Sequence, residues 1–180
     1  CTYMYKINKL LKLDEKLWHT NDLALLWNIT NRNTLYTGIK RYVAKGILVP
    51  VHKGLYSTVP LEKLDPIKLG ASMLHDYCYL STETILAQNG IISQAVYAIT
   101  FVASVSKKFS IDGREYISRR MHPRCLHQTA GVTMENGVLM ASTARAVADM
   151  LYFDPHYHFD ANANIDWDQV KHIQREVGLV

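Results

Sequence analysis

Several stretches of this chain carry side chains able to bind a metal or move a proton. They are His122, Cys125 and His127; His156, His158 and Asp160; Asp166 with Asp168; and Asp112 with Glu115. A zinc site needs four ligands at defined spacing, and neither histidine cluster has a second half that would complete one. Loop histidines are the expected reading. Asp166 and Asp168 have the separation of an acidic metal pair, yet no Gly-Ser nucleotide loop precedes them, and two acids at the start of a helix are favourable with its dipole alone. Asp112 is followed by Gly113, the dipeptide that a two-residue hairpin turn requires for backbone reasons. Ser81 lacks the setting of a hydrolase nucleophile and reads instead as the N-cap of a helix running to Gln88. No catalytic constellation is expected, and no metal or cofactor.

A different chemistry stands out between Arg32 and Lys45. Leu35, Ile39, Tyr42 and Val43 recur at helical spacing as one apolar stripe, which leaves Arg32, Asn33, Tyr36, Thr37, Lys40 and Arg41 mainly on the other face. Those are the side chains that read bases and hold phosphates: Arg for guanine, Asn for adenine, Lys and Thr for the backbone. Charge agrees with this. The first 68 residues carry a net of +6 and the remaining 112 a net of −2, so a formal +4 hides two halves of opposite character. A basic face in one short segment is the electrostatic footprint of a nucleic-acid binder.

The elements that must present this face follow in order. Residues 3–13 read as a first helix, broken by Asp14 and Glu15; residues 17–20 as a brief strand; Thr20 or Asn21 as the N-cap of a second helix with Leu23, Leu26 and Trp27 inward. The third helix ends at Gly46, and its internal Gly38 is expected to serve a close approach by the second helix. Residues 47–51 and 55–59 form a hairpin around His52, Lys53 and Gly54, so its tip carries a cation. That order is a winged helix-turn-helix. Lys40, Arg41, Lys45, His52 and Lys53 are expected to hold phosphates of double-stranded DNA while Arg32, Asn33, Tyr36 and Thr37 approach base edges. Two copies are expected on an inverted repeat, because one such module buries too little surface for operator-level affinity.

The charge break near Pro60 and Pro66 predicts two domains, residues 1–59 and 60–180. An α+β chain is expected overall. In the second part, residues 60–66 read as the exit from the hairpin into a helix with Ile67, Leu69, Met73 and Leu74 on its apolar side, residues 97–105 as a strand buried on both faces, and Asp112-Gly113 and Asn136-Gly137 as turns of two hairpins. The first hairpin sets Phe109 opposite Tyr116 and Ser110 opposite Glu115. Helices over residues 143–152 and from Asp166 to about Val177 complete the mixed domain. No apolar run is long enough to span a bilayer and no secretory leader is visible, so a cytoplasmic location without membrane association is expected. The three cysteines, Cys1, Cys78 and Cys125, offer no disulfide framework.

Residues 79–92 (beginning Tyr79-Leu80-Ser81-Thr82-Glu83), Ile99-Thr100-Phe101-Val102, residues 109–120 ending in Arg119-Arg120, and residues 141–151 with Arg145 and Asp149 together resemble the AbiEi antitoxin family. Lys45-Gly46-Ile47-Leu48 and Lys53-Gly54-Leu55-Tyr56 are similar as well. The resemblance extends from about Leu10 to Leu151. It implies an N-terminal winged helix that represses its own operon and a C-terminal domain that counteracts a nucleotidyltransferase-like toxin of the AbiEii type, without enzymatic activity of its own. It also assigns the antitoxin role to Ser81, Glu83, Arg119, Arg120, Arg145 and Asp149. The chain departs from the family at Thr143 and Ala144, where Pro and Glu are common. Arg145 and Asp149, at i and i+4, are expected to pair on the helix surface. Two other functions fit the same order of elements: a DNA-targeted metal-dependent nuclease, and a transcription factor whose second domain senses a ligand.

Overall fold

The computed structural model describes residues 2–179, so Cys1 lies outside the described residues. The chain forms two compact units, Cys1–Leu69 and Gly70–Val180. The division falls at Leu69 rather than Pro60, because residues 60–69, with Leu64 and Leu69 buried, group with the first unit. Among the described residues no helix is long and apolar enough to cross a membrane.

The first unit runs α1 (Thr2–Leu11), β1 (Leu17–His19), α2 (Thr20–Trp27), α3 (Arg32–Ala44), β2 (Val49–His52) and β3 (Leu55–Ser57). Its core joins Leu10, Trp18, Leu23, Trp27, Leu35, Ile39, Tyr42 and Leu48, one contribution or more from every helix. Each large apolar side chain buried this way stabilises the unit by roughly 1.5–3 kcal/mol before chain entropy is counted. Both ends of α3 have local causes. Asn31 Oδ1 accepts the Thr34 amide at 3.1 Å, and Gly46 takes a left-handed φ of 69° while the Ile47 amide donates to Tyr42 O at 2.9 Å.

The second helix starts one residue earlier than expected, with His19 as its cap and Asp22 Oδ2 accepting the His19 amide at 2.9 Å. Thr20 is engaged elsewhere: its amide and its hydroxyl both donate to Gly54 O, at 2.9 and 3.2 Å. That contact ties the start of α2 to the turn between β2 and β3. The hairpin is shorter than the sequence implied, and β1 adds a third antiparallel strand to give the order β1-β3-β2.

Helix α4 (Pro66–Leu74) spans the division between the units. The second unit then holds β4 (Cys78–Leu80), α5 (Glu83–Gln88), β5 (Ile99–Ala103), β6 (Lys107–Ile111), β7 (Arg114–Arg120), α6 (Pro123–Leu126), β8 (Val132–Glu135), β9 (Val138–Ala141), α7 (Thr143–Phe153) and α8 (Trp167–Val177). Six strands form one mixed sheet in the order β6-β7-β5-β4-β9-β8. Pairings β5–β7 and β4–β9 are parallel, the others antiparallel. Both two-residue turns form as Asp112-Gly113 and Asn136-Gly137, all four residues with positive φ. Phe109 lies opposite Tyr116 with the rings stacked at 5.1 Å, and Ser110 opposite Glu115. The architecture is mixed α+β, and β5 is buried along nearly its whole length.

Candidate functional site

The outer face of α3 displays the polar set expected of it. Arg32, Asn33, Tyr36, Thr37, Lys40 and Arg41 are all exposed, as are Lys45 just past the helix and His52 and Lys53 at the hairpin. Leu35, Ile39 and Tyr42 occupy the inner face, so the 3.6-residue period separates the two roles cleanly. Along one flank, Asn33, Thr34, Thr37, Gly38 and Arg41 line a groove of about 470 Å³ whose far wall is Lys6 and Trp27. Lys6 Nζ stands 5.9 Å from the Trp27 ring centroid, a cation held over an aromatic face. On the other flank Tyr36 neighbours Tyr56 of β3; burial first, then Tyr36, raises the Tyr56 phenol pKa.

Gly38 does not serve the contact expected of it. A Cβ built there would meet nothing within 4 Å, because the position opens onto the groove rather than onto α2. Lys6 was not singled out in the sequence, since nothing local says that α1 would bring it beside α3.

The second unit places the other six residues in two different environments. Ser81, Arg145 and Asp149 have no solvent exposure at all. Arg145 Nε donates to Asp149 Oδ1 at 2.8 Å, Ser81 Oγ donates to Asp149 Oδ2 at 2.7 Å, and Arg145 Nη2 donates to Tyr79 Oη at 2.6 Å. Arg145 Nη1 reaches the carbonyls of Gln128 and Ala130 at 2.9 and 2.8 Å. The expected surface pair is therefore an interior one. The apolar stripe of α7 is wide enough to include both residues, and β4, β9 and the 128–131 segment close over them. Burial raises the Asp149 carboxyl above its ordinary range, with Arg145 and the Ser81 hydroxyl pulling it back; burial alone would lower Arg145, and Asp149 and Tyr79 reverse that.

Ser81 does not cap α5. The cap position is Thr82, whose φ of 54° and ψ of −132° are unusual for a side chain with a branched Cβ, and whose buried Oγ1 has no hydrogen-bond partner among the described residues. Thr100 stitches this turn to β5: its Oγ1 donates to Ser81 O at 2.7 Å and accepts the Thr84 amide at 3.0 Å.

Glu83, Arg119 and Arg120 stay reachable from outside. Glu83 and Arg119 form an ion pair, Arg119 also lies 5.7 Å over the Phe153 ring, and Arg120 is exposed.

The chain is similar in fold to a solved structure, the RV2827C protein from Mycobacterium tuberculosis. The TM-score is 0.58, covering 97% of this chain and 72% of that one at 12% sequence identity, so the likeness concerns the fold alone. No protein-family model matches the chain, and no curated protein matches it.

Several of the dispersed acids and histidines have ordinary structural roles. Asp112 sits in its turn, Asp160 Oδ2 accepts the Ser93 amide at 2.6 Å, and Asp166 caps α8 by accepting the Gln169 amide at 3.0 Å. His122 caps α6, and Cys125 Sγ donates to Gly178 O at 3.3 Å. Among the described residues no three metal-ligating side chains come together.

Proposed function

We propose that the first unit is a winged helix-turn-helix that binds duplex DNA, with α3 in the major groove and the β2–β3 hairpin as the wing. The observation that carries this reading is that all nine polar residues, on and just past one helix face and at one hairpin tip, are exposed. Asn33 and Lys40 stand in the middle of that face, with Thr37 and Arg41 on the flank toward the groove. Lys6 across the groove adds a cation from a second helix, and Gly38 leaves the groove floor open. Lys40, Arg41, Lys45, His52 and Lys53 hold phosphates, which fix register and carry most of the affinity; Arg32, Asn33, Tyr36 and Thr37 read base edges. One module of this size buries roughly 600–1,000 Å² on DNA, so two copies on an inverted repeat supply an operator-level complex.

The same reading makes the chain an antitoxin and autorepressor of the AbiEi kind, without enzymatic activity of its own, whose second unit counteracts a nucleotidyltransferase-like toxin. Ser81, Arg145 and Asp149 act in it as the internal frame, being closed to any partner. Glu83, Arg119 and Arg120 are the members of the set that a toxin reaches.

A salt series of gel shifts on duplex DNA from upstream of the protein's own reading frame tests the DNA reading. Lys40→Ala with Arg41→Ala is expected to weaken binding to all duplexes and to reduce the slope of log affinity against log salt by about one unit per lost phosphate contact. Unchanged binding would remove this face from the interface. Co-expression with the adjacent downstream reading frame tests neutralisation separately.

A further inference from the structure

A second concave basic surface lies in the second unit, independent of the winged-helix reading. Ser106, Lys107, Lys108, Ile117, Ser118, Arg119, Arg120 and Phe153 line a cup of about 360 Å³ at the end of the β6–β7 ladder. Strand β6 is at the sheet edge, so the cup wraps its rim and both Lys107 and Lys108 reach it from opposite faces of the strand. Four cations line this one cup, and among the described residues Glu83 is the carboxylate paired there, on Arg119. Arg119 Nε and Glu83 Oε2 are each buried with no hydrogen-bond partner among the described residues.

The floor is held rigid. Ser118 Oγ donates to Val105 O at 2.8 Å and accepts the Lys107 amide at 3.0 Å, while Ser106 Oγ accepts the Arg120 amide at 3.1 Å. Those bonds fix the backbone of the 105–107 connection against β7. Phe153 and Ile117 supply a flat aromatic and an aliphatic wall next to that charge.

The geometry points to a binding site for a mononucleotide, its phosphate held by Lys107, Lys108 and Arg120 and its base against the wall formed by Phe153 and Arg119. A surface hollow of this size has room for one small phosphate-bearing unit. Charge-assisted bonds from planar guanidinium and lysine donors suit a phosphate monoester, and stacking on an aromatic face tolerates any base.

Isothermal titration of the full chain with 5′-AMP, inorganic phosphate and adenosine tests the site. Binding is expected for 5′-AMP, weaker for phosphate and absent for adenosine. Lys107→Ala with Lys108→Ala, both exposed and outside every core, is expected to weaken 5′-AMP at least ~10-fold with the melting temperature of the free protein unchanged. A 5′-phosphorylated trinucleotide binding more tightly than 5′-AMP would place the natural phosphate at a strand end, with the same residues holding it. Silence with 5′-AMP, or binding that ignores the double variant, overturns the proposal. So does a double variant whose sole defect is weaker duplex DNA binding, which would make the cup part of an extended backbone contact.

Discussion

Arg145 Nε donates to Asp149 Oδ1 one turn further along α7, at 2.8 Å, and neither side chain has any exposure to solvent. Four of the five guanidinium N–H groups are used, on Asp149, Tyr79 and the carbonyls of Gln128 and Ala130. The pair is thus the point where α7, β4 and the segment before β8 are joined. Removing one partner leaves the other charged and dry, which is why such pairs are costly to break even when they add little net stability.

Asp149→Ala is expected to destabilise the chain by about 3–5 kcal/mol in urea denaturation. Ser81→Ala removes one hydrogen bond to a charged acceptor and is expected to cost about 1.5–3 kcal/mol. The double variant costs less than the sum, since Ser81 Oγ has lost its acceptor once Asp149 is gone. Additive losses would show that the three side chains do not act as one network.

Two helical glycines are expected to respond with opposite sign. At Gly70 a Cβ would stand 2.5 Å from Tyr116 Cδ1 and 2.9 Å from Phe101 Cε2, so Gly70→Ala overpacks the sheet face by about 1–3 kcal/mol. At Gly38 a Cβ meets nothing, and Gly38→Ala stabilises α3 by about 0.5–1 kcal/mol. Thermal melting of the two variants decides both, a drop for the first and a rise for the second.

Alkaline conditions are expected to unfold the second unit through Cys78. Burial, and then Asp76, pushes its thiol up from 9.0 to about 11. Because the folded state keeps the proton longer than the unfolded state, the contribution is intact below pH 9 and is lost as pH climbs from 9 toward 11. The loss amounts to about 2–3 kcal/mol for a shift of that size. Burial raises Tyr79 in the same direction, which prolongs the decline. Melting curves for Cys78→Ala should be flatter than wild type across that window; identical curves would remove Cys78 as the cause.

Thr82→Gly is expected to stabilise the chain by roughly 1 kcal/mol or more, measured by denaturant midpoint. Its φ of 54° is comfortable for Gly and strained for Thr, and the substitution also removes a buried hydroxyl that has no partner. A loss of stability would show that Thr82 contributes packing that outweighs its backbone cost.

Reading base edges rather than phosphates, Asn33 is expected to affect DNA binding selectively. Asn33→Ala should weaken the cognate operator by about 1–3 kcal/mol while leaving the salt slope and binding to unrelated duplexes unchanged. A uniform loss on every sequence would reassign Asn33 to the backbone.

Much of this was legible along the chain, and for local reasons. The period of Leu35, Ile39 and Tyr42 determined which face of α3 turns inward, and hence that Asn33, Thr37 and Lys40 face outward. Asp112-Gly113 and Asn136-Gly137 determined two hairpins, because few other dipeptides accept two positive φ values in succession. Gly46 marked the C-terminal end of α3 by the same kind of short-range chemistry. Only the tertiary structure decided what lies over a helix face. Arg145 and Asp149 read as a solvated i, i+4 pair, and it took β4, β9 and the 128–131 segment to bury them. Ser81 read as a cap, but its hydroxyl donates to Asp149, far along the chain. Lys6 beside Trp27 and Lys107 and Lys108 beside Phe153 have no signature in sequence at all. Spacing along a chain determines direction within one element; burial and convergence depend on which other elements close over it.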